Sequence, residues 1–124
     1  MTTTQITESN FKSIIEKPGI VLVDWWAPWC GPCRAFAPVF EAASKKHPGV
    51  TWGKVNTEQE PALAGGFGIQ AIPTLMAFRD GILLFEQAGM LPASALDRLV
   101  EQLEKVDMAE VRRKAQPASR APAP

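Results

Sequence analysis

Cys30 and Cys33 are the only two cysteines in a chain of 124 residues, and they stand in the order Cys30-Gly31-Pro32-Cys33. A disulfide between them would close so short a loop that the chain-entropy model values it at only about 2 kcal/mol, a poor return as a structural staple. The spacing suits chemistry better. Asp24, Trp25, Trp26 and Ala27 end an apolar run just before the pair, and a helical pattern begins just after it, so Cys30 falls where a strand hands over to a helix. Unpaired N–H groups and the macrodipole at a helix start favour a negative charge, lowering a thiol's pKa and generating the thiolate nucleophile. Cys33 sits one turn deeper on the same face, close enough for a bond that opens and closes without moving the backbone. Pro32 lies in the first turn, where its missing N–H costs nothing. Two other readings compete. A zinc site needs four ligands, and the chain offers two Cys and the single His47, so a clasp would require a dimer. Two inert buried thiols are the other, although inert cysteines have no need to open a helix as a pair.

Asp24 is the second candidate. It interrupts the run Ile20–Ala27, and an acid inside a buried strand is costly unless it stays protonated or finds partners. The alternative is a solvated strand edge. Other function classes find little support. Acids and bases balance at 13 each, with no basic stripe in the body of the chain, which argues against a nucleic-acid binder. No glycine loop of the phosphate-cradling kind is present. The opening MTTTQITESNFKS lacks the basic and apolar stretches of an export signal, and the run 20–27 is too short to span a bilayer. The expected compartment is the reducing cytoplasm, where cysteines rarely serve as cross-links, and no membrane partner is expected.

The elements that position these residues follow from periodicity. Thr7 is the expected N-cap of a first helix carrying Phe11, Ile14 and Ile15, which Pro18-Gly19 ends. Residues 20–26 read as a strand buried on both faces, because the apolar run is continuous. A helix is expected from about Cys33 to His47, with Phe36, Val39, Phe40 and Ala43 on one side and Pro38 as a kink. His47, at its C-terminal end, is expected to meet the last carbonyls. Val50–Asn56 is the next strand, followed by a short helix over about 59–64 that Gly65-Gly66 weakens. Strands are expected at Thr74–Phe78 and Ile82–Phe85 around the hairpin signature Arg79-Asp80-Gly81. A last helix starts near Pro92 and carries Leu96, Leu99, Val100 and Leu103. Strand–helix–strand over 20–56 implies a parallel pair and the hairpin an antiparallel one, giving a mixed α/β sheet covered by helices. Trp25 and Trp52 read as core, and Trp26 as packing beneath the cysteines. Residues 1–107 are expected to form one domain. Residues 108–124, ending in AQPASRAPAP, are expected to be a disordered Ala/Pro-rich tail, with Arg112-Arg113-Lys114 a solvated helix end before it.

The stretch Asp24-Trp25-Trp26-Ala27-Pro28-Trp29-Cys30-Gly31-Pro32-Cys33 closely resembles the active-site strand and loop of the thioredoxin family. Gly68-Ile69-Gln70-Ala71-Ile72-Pro73-Thr74-Leu75, Phe78-Arg79-Asp80-Gly81 and Ala88-Gly89 fall in the family's order, so the resemblance covers roughly residues 5–106. It implies the thioredoxin fold, a central mixed sheet flanked by four helices. It also implies a monomeric dithiol–disulfide oxidoreductase that reduces client proteins and needs no bound cofactor or metal, its electrons coming from NADPH through a thioredoxin reductase. By the same resemblance Cys30 attacks, Cys33 resolves, Asp24 is the buried acid that helps deprotonate Cys33, and Lys54 is the lysine near it. Without the resemblance, a lysine on a strand is usually a surface residue. The Ile72–Pro73 bond, cis in the family although X–Pro bonds are cis only about 5% of the time, brings its loop against the cysteines. Trp29, Gly31, Pro32, Ile72, Pro73 and Gly89 then form a shallow client surface. Gly31-Pro32 is the dipeptide of reducing members, and it adds no charge that would stabilise the Cys30 thiolate and raise the potential. Ala71 stands where glycine is common in the family. A disulfide oxidase or isomerase, or a redox-independent binding subunit, are the alternative functions.

Overall fold

A computed structural model describes residues 2–114 of the chain. Its strands are β1 (Thr3–Gln5), β2 (Ile20–Trp26), β3 (Thr51–Asn56), β4 (Thr74–Arg79) and β5 (Ile82–Ala88). They form one sheet in the order β1-β3-β2-β4-β5. The first three strands in that order run parallel, while β4 and β5 are antiparallel additions. The mixed sheet expected from the crossover at 20–56 and the later hairpin is therefore present. β2 lies at its centre, and the unbroken apolar run has the physical reason inferred for it: both faces are covered. On one side Val21, Val23 and Trp25 pack with Phe11, Ile15 and Phe78. On the other, Leu22 packs with Phe36, Phe40, Trp52, Leu75 and Leu96. Trp25 and Trp52 are both core, the latter edge-on to Phe40 at 5.1 Å between centroids.

The helices are α1 (Phe11–Ile15), α2 (Gly31–Lys46), α3 (Pro61–Gly66), α4 (Ala93–Glu104) and α5 (Met108–Lys114). α2 continues through Pro38. The hairpin turn has both central residues at positive φ, Asp80 at 53° and Gly81 at 83°, as a two-residue loop matched to strand twist demands.

Several expectations shift. β1 was not legible, because three polar-flanked residues carry no alternation; it exists because it pairs with β3, over which Ile6 packs on the bare backbone of Gly53. α1 starts at Phe11 rather than after Thr7, since Asn10 turns its side chain back to accept from the Thr7 N–H at 2.7 Å. α3 begins at Pro61, two residues late, and takes Gly65 and Gly66 into its last turn. β5 runs on to Ala88, and Pro92 is the N-cap of α4 rather than its first residue. His47 does not simply meet terminal carbonyls: its Nε2 lies 2.8 Å from Asp97 Oδ1, joining α2 to α4, and its ring stacks on Trp52.

The largest departure is at the C-terminus. Residues 108–114 are helical where a disordered tail was expected from 108, so the described residues hold a fifth helix beyond the four expected. Met108 is buried, the Asp107 side chain accepts from the Glu110 N–H, and Arg112 pairs with Asp80 at 2.8 Å. Asp80 in turn accepts from the Gly19 N–H, and Arg79 donates to the carbonyls of Leu103, Glu104 and Val106 at the end of α4. The remainder of the expected tail, 115–124, lies outside the described residues. Met108→Ala is expected to cost about 2 kcal/mol, the low end for truncating a buried methionine. Denaturant unfolding of the variant checks this, and an unchanged midpoint would return α5 to the status of a loose appendage.

Candidate active site

The chain leaves the C-terminal end of β2 and turns through Ala27, Pro28 and Trp29. It enters α2 with Cys30 as the N-cap, in extended conformation at φ −84° and ψ 116°. Its backbone N–H donates to the Ala27 carbonyl at 3.2 Å, closing the turn. Its Sγ accepts from the Cys33 N–H at 3.2 Å, so the sulfur itself takes the capping position that a Ser or Asp oxygen usually fills. Cys30 and Cys33 are joined by a disulfide, with Cα atoms 5.2 Å apart. Both cysteines are buried, whereas Trp29, next to Cys30, is 65% exposed.

A second loop faces the pair. The Ile72–Pro73 bond is cis, and the Ile72 carbonyl oxygen lies 3.7 Å from Cys30 Sγ. The Pro73 carbonyl accepts from the Gly89 N–H at 2.8 Å, tying the third segment to the second. Gly89 has φ of 93°, a region that side chains disfavour. Trp29, Gly31 and Pro32 thus flank Cys30 in its own loop, Ile72 reaches Cys30 through its carbonyl, and Gly89 joins them only through its bond to Pro73. Arg34 was not singled out in the sequence; its Nη1 donates to the Pro28 carbonyl at 3.1 Å, bracing the loop that carries Trp29. Its only signal there was its place directly after Cys33.

Asp24 is fully buried in β2, and neither carboxylate oxygen has a hydrogen-bond partner among the described residues. Burial pushes its pKa up from 3.8 to about 7, with the positive charge of Lys54 pulling the other way. The solvated-edge reading of Asp24 therefore falls. Lys54 is its register partner on β3, and the ammonium sits 4.9 Å from the centroid of the Trp26 ring. Trp26 packs against the cysteines, as does Ile72. His47, the third ligand a zinc clasp would borrow, is the C-cap of α2, at the opposite end of the helix from Cys30.

The arrangement can cycle between dithiol and disulfide: two sulfurs stand at a helix start beside an apolar approach. Comparison with known proteins agrees. The thioredoxin family model matches residues 2–116. A Streptomyces coelicolor protein named "Putative thioredoxin 2" is 46% identical over 90% of this chain and 83% of its own length. Thioredoxin 1 of Nostoc sp. is 41% identical over 79% of this chain and 94% of its own. Among solved structures, chloroplastic thioredoxin z superposes with a TM-score of 0.79 at 26% identity, covering 86% of this chain and 97% of that one. With the fold, the helix-capping cysteine pair and these relatives in agreement, the chain belongs to the thioredoxin family.

Proposed function

We propose that this chain is a protein-disulfide reductase acting in the cytoplasm as a monomer, recharged by an NADPH-fed thioredoxin reductase. The observation that carries this reading is the placement of Cys30 Sγ at the N-cap of α2, where backbone N–H groups stabilise a thiolate. The Cys30 thiolate attacks one sulfur of a client disulfide. A mixed disulfide forms and the client's other sulfur leaves as a thiolate. Cys33 then passes its proton to the Asp24 carboxylate and attacks Cys30 Sγ, expelling the second client thiolate. The client gains two electrons and the chain keeps the Cys30–Cys33 bond, the state in which the pair stands in this structure.

Trp29, Gly31, Pro32, Ile72, Pro73 and Gly89 form the docking surface in this reading, and Lys54 tunes Asp24. Gly31-Pro32 places no charge between the sulfurs, which favours the reductant over the oxidase or isomerase. No helix among the described residues is long and apolar enough to cross a membrane. The test couples NADPH and a thioredoxin reductase to insulin disulfides. NADPH consumption is expected only when the chain is added, together with precipitation of the freed insulin chain. Absence of both with a competent reductase would sink the proposal.

A further inference from the structure

Asp24 has two neighbours in register, Leu75 on β4 and Lys54 on β3. Paired residues on parallel strands project to the same face, so the Lys54 side chain leaves the sheet on the side where Asp24 lies buried. An ion pair between them is the arrangement elementary electrostatics suggests. It does not form: both Asp24 oxygens lack a partner among the described residues, and the Lys54 ammonium instead lies over the Trp26 ring, 4.9 Å from its centroid. Trp26 is two residues beyond Asp24 on β2, hence on the same face. Lys54 and Trp26 also line a groove of about 590 Å³ with Asn56, Gln59 and Glu41. Lys54 thus borders the groove while its ammonium lies over the indole face.

We propose that Trp26 is a positioning residue whose ring parks the Lys54 ammonium and keeps it from pairing with the Asp24 carboxyl, leaving that carboxyl free to exchange a proton with Cys33. Trp is the strongest of the aromatic faces for a cation, and a lysine held there escapes the desolvation that a direct pair beneath α2 would impose. The other ionisable groups near Asp24 are few. α2 covers this face, and its Glu41 reaches the groove but accepts from the Thr2 hydroxyl at 3.1 Å. β4 contributes only Leu75. A paired Asp24 would be a weaker base, poorly matched to a thiol proton at neutral pH. This inference rests on the reading of Asp24 as the base for Cys33, so its test avoids catalysis.

The Asp24 carboxyl is titrated by 13C NMR in the oxidised, full-length protein. Trp26→Leu is expected to release Lys54 onto Asp24 and lower the titration midpoint by about one pH unit or more, the effect of an opposite charge brought close. Trp26→Phe keeps a weaker ring and should shift it less, in the same direction. In a Lys54→Met background both shifts should vanish. A shift that persists there would come from water entering beside Asp24 and would overturn the proposal, as would an unchanged or raised midpoint in Trp26→Leu. If Trp26→Leu does not fold, the Trp26→Phe pair with and without Lys54→Met decides alone. Should the midpoints move as expected while Asp24→Asn resolves mixed disulfides at the wild-type rate, the base assignment fails and the positioning role of Trp26 stands.

Discussion

Cys33→Ser is expected to turn the protein into a trap that holds its clients as stable mixed disulfides, while Cys30→Ser captures none. The asymmetry follows from where α2 begins. Cys30 Sγ occupies the N-cap, accepts the Cys33 N–H and lies beside the exposed indole of Trp29. Its thiolate is stabilised by the helix start. Cys33 is one turn inside the helix, and its task is to attack Cys30 Sγ while that sulfur is bonded to the client. A serine hydroxyl at 33 is not a useful nucleophile toward that bond, so the first step proceeds and the second stops. A serine at 30 removes the first step. Turnover with insulin should fall to background in both variants, and only covalent capture separates them. Non-reducing electrophoresis with intact-mass analysis reads it directly. Equal capture by the two variants would undo the assignment of attacking and resolving thiols.

Legibility in the sequence followed the strength of the local signal. The continuous run at 20–26 could only be a strand covered on both sides, and Asp24 within it was already anomalous. Cys-Gly-Pro-Cys at a strand–helix junction pointed to thiol chemistry, and the resemblance supplied Pro73 and Gly89, to which no periodicity would have pointed across some forty to sixty residues. What stayed hidden depends on tertiary partners. β1 is three residues whose only reason to be a strand is the free edge of β3. α5 carries a single buried anchor, Met108, and its ion pair reaches a turn far back in the chain. Proline and alanine beyond it masked that signal. Lys54 was placed near Asp24 by resemblance, but the sequence could not say that its ammonium would settle on Trp26. His47 looked like a helix end and became a bridge, because Asp97 on α4 comes within reach only after the helices pack. In that bridge Asp97 is held below its usual carboxylate range, first by the Lys46 hydrogen bond and then by that of His47.

Asp24→Asn is expected to be at once more stable and slower than the wild type at pH 8. The acid has an unfolded pKa near 3.8 and a folded one of about 7, raised by burial. Between those values the native state holds a proton that the unfolded chain has lost, so stability falls as pH rises through the window. The slope approaches 1.36 kcal/mol per unit for one proton, and roughly three units make about 4 kcal/mol, after which the curve levels off. Asparagine keeps the shape without the charge. Its stability should be flat where that of the wild type declines, and the two curves should separate steadily between pH 4 and 7. The amide leaves polar atoms unpaired much as the protonated carboxyl does, so the gain at pH 8 is expected to come close to the full ionisation cost. The rate moves the other way. Loss of a general base typically slows proton transfer about 10²- to 10⁴-fold, and here the affected step is the attack of Cys33 on the mixed disulfide, not its formation by Cys30. Urea unfolding from pH 4 to 9, alongside single-turnover reduction of a client, measures both halves. A variant no more stable than wild type at pH 8, and equally fast in resolution, would show that the Asp24 carboxyl neither ionises at a cost nor serves Cys33. Gain in stability without loss of rate would keep the burial argument and remove the base.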